Sequence, residues 1–175
     1  MSDYDFDDNA YPPAYLITFR TYGTWLHGSH KYSVSDSEVT RYGGPMMTPS
    51  VPLEETMRTS QKSGSVTLTP KQRMIVDAAV REVCTYRDYL LYAANIRSNH
   101  GHVVVCAKED PDKVAGEFKA YATRALRSAH QFSAGARIWT RGASTRYLWK
   151  PHHVEAAIDY VKYCQEDIPF EFRGK

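Results

Sequence analysis

Little in this chain ties it to export, to a covalent scaffold or to a membrane. Cysteine is scarce: Cys84, Cys106 and Cys164 lie far apart with no CxxC pair, which argues against a disulfide framework or a cysteine zinc cage. A reducing cytoplasm, bacterial and at the nucleoid, is the expected setting. No run of about 18 apolar residues occurs, and Met1 to Ala10 is acidic where a leader would be basic and then apolar. Nothing therefore directs the chain to a membrane. Internal repeats and low-complexity tracts are absent too, which excludes solenoids and arrays.

What is present is enough for one domain. A chain of 175 residues that is 42% hydrophobic can bury one ordinary core, with no room for two comfortable domains. The net charge of +2 is bland, but its distribution is polarised. Residues 1–60 carry eight Asp/Glu against four Lys/Arg, whereas 111–150 carry eight Lys/Arg against Asp112 and Glu117. Such a chain can present a basic face to phosphates, or the cations can simply solvate helix faces.

Tyr15 to Tyr22 alternates and is rich in β-branched and aromatic residues, so it predicts a strand. Residues 28–68 read as a long irregular insertion broken by Gly43-Gly44-Pro45, Pro49 and Pro52. Thr69-Pro70 starts a helix, N-cap then proline, and Val76, Ala79, Val80 and Val83 carry it to about Arg87. Leu90–Arg97 and His102–Ala107 flank the polar corner Ser98 to Gly101 and predict two adjacent strands. Asp110-Pro111 opens a second helix reaching about Ala129. Ile138–Thr140 and Thr145–Trp149 read as short strands, and Pro151 starts a last helix with the stripe Val154, Ala157, Ile158 and Val161. The order β-α-β-β-α-β-α predicts an α+β, ferredoxin-like antiparallel sheet with helices on one face. We read an acidic tail at 1–13, one domain over 14–168 interrupted by the insertion, and a short tail at 169–175.

Chemistry concentrates at His100-Gly101-His102. On extended backbone, residues two apart share a face, so both imidazoles can reach one cation. Seven histidines in this chain give an HxH somewhere by chance at roughly one in four, but here the pair opens the apolar strand Val103-Val104-Val105-Cys106. Solvating histidines have little reason to sit on a buried sheet. A phosphate-attacking tyrosine would need such a metal, because phenol at its ordinary pKa of about 10 is a poor nucleophile. Tyr160 and Tyr163, near the amide of Gln165, and Tyr121 on the basic middle helix all qualify from the residues alone. Lys119, Arg124, Arg127, Arg141, Arg146 and Lys150 are candidate backbone contacts. Tyr147 is available for base stacking, and Trp139 and Trp149 are read as core. His152-His153 reads as solvent-facing, and His27 and His30 fall in the insertion.

The run Asn99-His-Gly-His-Val-Val-Val105 resembles the His-hydrophobe-His strand of the single-tyrosine HUH transposases, particularly the REP-associated tyrosine transposases. Phe19–Gly28, Lys119–Arg124 and Ile138–Trp149 agree in the same order, so the resemblance spans about residues 14–166. It implies the HUH endonuclease/transposase fold, usually dimeric, with His100, His102 and a helical amide binding Mg²⁺ or Mn²⁺. It also implies a 5′-phosphotyrosine intermediate formed on hairpin-associated single-stranded DNA, with Tyr160 as nucleophile. Two departures stand out. Many relatives place the amide four residues after the tyrosine, where this chain has Cys164; Gln165 comes one later, leaving Gln165 or water as third ligand. Gly101 replaces the usual bulky hydrophobe between the histidines. The alternatives are a catalytically degenerate hairpin-binding module for DNA or RNA, which would not need the histidines, and a small-phosphoester hydrolase, which would not need Tyr160.

Overall fold

Three helices and a four-stranded sheet carry the structure, a computed structural model that describes residues 11–24 and 64–164 and the backbone of two short strands at 33–34 and 46–47. The elements are β1 (Ala14–Arg20), β2 (Ser33–Val34), β3 (Met46–Met47), α1 (Pro70–Arg87), β4 (Leu90–Ile96), β5 (His100–Cys106), α2 (Pro111–Ser128), β6 (Ser144–Leu148) and α3 (Pro151–Tyr163). β2 and β3 pair antiparallel with each other inside the insertion. The tails at 1–10 and 169–175 lie outside the described residues.

Local signals set the helix ends. The Thr69 hydroxyl accepts from the Gln72 amide while Gln72 Oε1 accepts from the Thr69 amide, a complete capping box ahead of Pro70. Asp88 ends α1 in the left-handed region at φ 57°, a conformation that Asp tolerates better than most residues. Asp110 caps α2 by accepting from the Asp112 amide at 2.8 Å.

The sheet order is β4-β5-β1-β6, antiparallel throughout. β1 and β4 are thus parallel, joined through α1 across β5, and β5 and β6 are joined through α2 across β1. Two interleaved βαβ crossovers of this kind define the ferredoxin-like arrangement. Both sheet faces are apolar, as the unbroken run Val103-Val104-Val105 requires. Tyr15, Ile17, Phe19, Val103 and Val105 meet α1 and α2 through Val76, Val80, Val83, Phe118 and Leu126. Ala14, Ala93, Val104 and Leu148 meet Val154, Ala157 and Val161 of α3 on the other side. The expectation of helices on one face thus holds for α1 and α2, while α3 takes the opposite face, because successive strand residues point alternately to the two sides.

Several boundaries shift. β5 begins at His100, so both histidines lie within the strand. Ile138–Thr140 contributes an isolated bridge, Trp139 to Thr21, in place of a strand. The end of the expected insertion is part of the core: the Val66 amide donates to Tyr22 O, the Leu68 amide donates to Ser98 O, and Leu68 is buried.

Gly101 has a physical reason. It faces α1 and α2, where a Cβ would lie 2.7 Å from Phe19 Cζ and 2.9 Å from Ile96 Cδ1. The Phe19 ring, packed on Trp139 at 5.3 Å, occupies the space that a bulky residue between the histidines would need. Gly101→Val is expected to destabilise the fold by about 1–3 kcal/mol, read as a lower urea midpoint. Unchanged stability would contradict this packing.

Candidate active site

The α3 face of the sheet carries the polar groups. Register aligns Asn95, His102 and Thr18 across β4, β5 and β1, and His100 lies opposite Arg20 in the adjacent row. The Arg97 amide donates to His100 O at 2.7 Å, which sets Arg97 on the other flank of His100. Asn95 Nδ2 donates to the Val161 carbonyl at 2.9 Å, fastening the end of α3 to this row.

The imidazoles are oriented through Nδ1. His100 Nδ1 lies 2.6 Å from Asn99 Oδ1. An amide oxygen only accepts, so Nδ1 carries a proton, and the tautomer this contact selects has its lone pair on Nε2. His102 Nδ1 lies 2.7 Å from Thr18 Oγ1, and a hydroxyl that accepts from Nδ1–H leaves Nε2 the lone pair there too. The two ring centroids are 4.6 Å apart. Burial, with His100, Arg20 and Arg97 nearby, pushes His102 down from the usual 6.5 to about 3, so it stays neutral at physiological pH. Neutral imidazoles with their second nitrogens tied are what metal ligation requires, so this pair fits a divalent cation. Gln165, the expected third ligand, lies outside the described residues. Among the described residues, no group of three or more His, Cys, Asp or Glu is gathered for a metal.

Tyr160 stands over this pair. Its ring centroid is 5.4 Å from that of His102, and it is 42% exposed. Tyr163 follows on α3 and is exposed. Tyr121 is on the other side of the sheet, packed in the α1/α2 layer 6.4 Å from Tyr86. Cys164 is exposed one turn after Tyr160, its amide donating to Tyr160 O at 3.1 Å.

The candidate DNA contacts do not form one group. Lys119 is half-buried, its ammonium donating to the carbonyls of Thr140 and Gly142, and burial lowers its pKa. Its charge is engaged in holding the loop before β6. Arg124 lies over the Tyr121 ring at 4.3 Å, away from the histidine face, and Arg127 donates to Ala136 O. Arg141 and Lys150 are exposed, and Arg146 is exposed on the histidine face opposite Leu16. Trp139 is buried, with Nε1 donating to Thr123, whereas half-buried Trp149 stacks on exposed Tyr147 at 5.9 Å. His152 is exposed, and His153, 4.3 Å away ring to ring, is half-buried.

Sequence reasoning missed the groups flanking the histidines: Thr18, Arg20, Asn95 and Arg97. Period-two alternation along each strand could have nominated them, but only knowledge of which strands pair, and in what register, brings them together.

No protein-family model matches the chain, and no curated protein sequence matches it. A solved structure described as that of a REP-associated tyrosine transposase bound to a REP hairpin is similar in fold, with a TM-score of 0.51 at 13% identity. The match covers 94% of this chain and 72% of that one. The likeness is one of fold: α+β, with one four-stranded antiparallel sheet among the described residues. Among the described residues, no helix is long and apolar enough to cross a membrane.

The state of His102 has a measurable consequence in the metal-free protein. In the unfolded chain its imidazole takes up a proton near 6.5, in the folded chain only near 3. Protons thus bind the unfolded state first, and stability that is full above about 6.5 is lost as pH falls toward 3. Between about pH 7.5 and 4.5 the wild type is expected to lose roughly 2–3 kcal/mol more than His102→Gln in urea unfolding. Equal losses would contradict a buried, neutral His102.

Proposed function

We propose that this protein cleaves and rejoins single-stranded DNA, with Tyr160 as nucleophile and a divalent cation, Mg²⁺ or Mn²⁺, at His100 and His102. The observation that carries this reading is the placement of an exposed tyrosine ring 5.4 Å from one of two adjacent imidazoles. The cation would polarise a non-bridging phosphoryl oxygen and offset charge developing there.

The protein's own groups supply the rest. His100 and His102, held through Asn99 and Thr18, orient the ligand lone pairs. Tyr160 is presented on a helix whose end is fixed by Asn95, so its oxygen approaches from one side of the phosphate. As the Tyr160 oxygen bonds to phosphorus, the P–O3′ bond breaks. The phenol proton passes to solvent and the departing oxygen takes one up. The 5′-phosphotyrosine conserves bond energy, so the free 3′-OH can attack it and reseal the strand. Gln165 would complete the ligand set, with water in its place otherwise. Arg141, Arg146 and Lys150 remain suited to the DNA backbone, whereas the Tyr147–Trp149 stack, beside Tyr15 on the α1/α2 side of β6, would meet bases only of a strand that wraps the sheet edge. Arg124 and Arg127 could act only on a strand that wraps onto the outer helical layer.

The similar transposase is described as bound to a REP hairpin, so we take hairpin DNA as the partner and a homodimer as the working form. A non-catalytic hairpin-binding module is the second reading, favoured by Cys164, which stands one helical turn after Tyr160 where a ligating amide would be expected.

Purified protein incubated with labelled hairpin DNA from beside its own gene and Mn²⁺ is expected to give a covalent band on denaturing electrophoresis. The band should disappear in Tyr160→Phe and fall at least about a hundredfold in His102→Ala. An adduct that survives Tyr160→Phe moves the nucleophile to Tyr163. Bound DNA with no adduct under any metal selects the non-catalytic reading.

A further inference from the structure

The edge of the sheet beside β1 is interrupted. Trp139 forms a bridge with Thr21, and Ser144 pairs with Thr18. Between these two pairs β1 has only Phe19 and Arg20, whereas the edge has Thr140, Arg141, Gly142 and Ala143, two residues more. The Thr140 amide still donates to the Arg20 carbonyl at 3.0 Å, so Arg141 to Ala143 form a bulge opposite Phe19. Gly142 turns it at φ 70°, a conformation that glycine adopts without a Cβ penalty. A bulge interrupts the hydrogen-bond ladder. Here the ammonium of Lys119, on α2, donates to two carbonyls of the interrupted segment, Thr140 O at 3.1 Å and Gly142 O.

Placement gives this bulge a use. It ends beside the row that runs Asn95, His102, Thr18, Ser144 across the four strands. Adjacent strands lie about 4.8 Å apart, so its backbone is about 10 Å from that of β5. Arg141 within it is exposed and makes no hydrogen bond, ion pair or ring contact among the described residues. A straight edge strand would close the sheet with neither a half-buried ammonium nor a left-handed residue, and bulges recur beside active sites because they re-aim a side chain. We infer that the 141–143 bulge guides the single strand, with Arg141 on a diester near the one to be cut, and that Lys119 is the positioning residue that holds this guide. This rests on the proposed DNA reaction. The Lys119 charge is engaged by protein carbonyls, so it acts on the strand through Arg141, whose backbone it fixes before binding.

A double-mutant cycle separates this role from that of a merely structural lysine. Affinity for the hairpin and single-stranded flank from beside the gene is measured by fluorescence anisotropy in EDTA, so that no cleavage occurs, over a range of salt concentrations. Arg141→Ala is expected to weaken binding about three- to tenfold and to lower the slope of log affinity against log salt by about one. Lys119→Met should do the same, although its ammonium meets no phosphate, and the double variant should bind no more weakly than either single one. Gly142→Val disturbs the bulge independently: a Cβ there meets nothing within 4 Å, so only the φ of 70° resists it. It too should weaken binding and add nothing to Arg141→Ala. Circular dichroism and thermal melting establish folding; if Lys119→Met does not fold, Lys119→Gln and Gly142→Val carry the cycle. No binding by the wild type, folded variants that bind as the wild type does, or losses that add in the double variants would overturn the guide. A covalent adduct in the wild type alongside additive losses refutes the guide alone. Coupled losses without any adduct refute the catalytic reading alone.

Discussion

The pairing of β1 with β5 is the constraint on which everything else depends. Its register sets Thr18 against His102, Phe19 against Gly101 and Arg20 against His100. One side of these pairs is an aromatic wedge under α1 and α2, and the other is the polar row beneath α3. A slip of β1 by one residue would exchange that strand's faces, driving Thr18 and Arg20 toward the α1/α2 core and turning Phe19 away from it. Burial of Phe19, Val103 and Val105 therefore does more than stabilise the sheet. It fixes which way His100 and His102 point, so the geometry of the two imidazoles inherits its rigidity from the apolar core behind it.

A strand pair covered on both sides needs a second apolar layer, and α3 supplies it through Val154, Ala157 and Val161. The same helix carries Tyr160. One stripe of α3 holds it on the sheet while the flank bearing Tyr160 remains open. Asn95, bonded to the Val161 carbonyl, ties the backbone beside Tyr160 to the row containing His102. On the proposed reading, a buried imidazole and an exposed phenol in edge contact would divide the requirements of phosphoryl transfer. A metal ligand would have to be kept neutral and oriented, which burial does for His102, while a nucleophile would have to be met by a polymer arriving from outside, which burial would prevent.

Much of this was legible in the sequence, for identifiable reasons. Thr69-Pro70 and Asp110-Pro111 announce helices because capping is a local property, and Val103 to Val105 announces a doubly covered strand because alternation is missing. The histidine pair could be read because two residues on one strand share a face whatever the strand pairs with. What was not legible depends on pairing. Lys119 looks like a solvent cation on a basic helix until the fold brings the Thr140 and Gly142 carbonyls to it. Tyr121 and Tyr160 were equivalent candidates until the sheet was seen to separate them. Arg20, Arg97, Thr18 and Asn95 come together only through register, which no local spacing encodes. Gly101 departs from the bulky residue usual between the histidines, and the reason is the Phe19 ring, which leaves no room for a Cβ there.

The electrostatics of this face follow from the same geometry. Burial, with His100, Arg20 and Arg97 nearby, makes protonation of His102 unfavourable and keeps its ring neutral. On the proposed reading, a cation at the histidines and the phosphodiester of a bound strand would each strengthen the other's binding, as linkage requires of two ligands that interact favourably in one site.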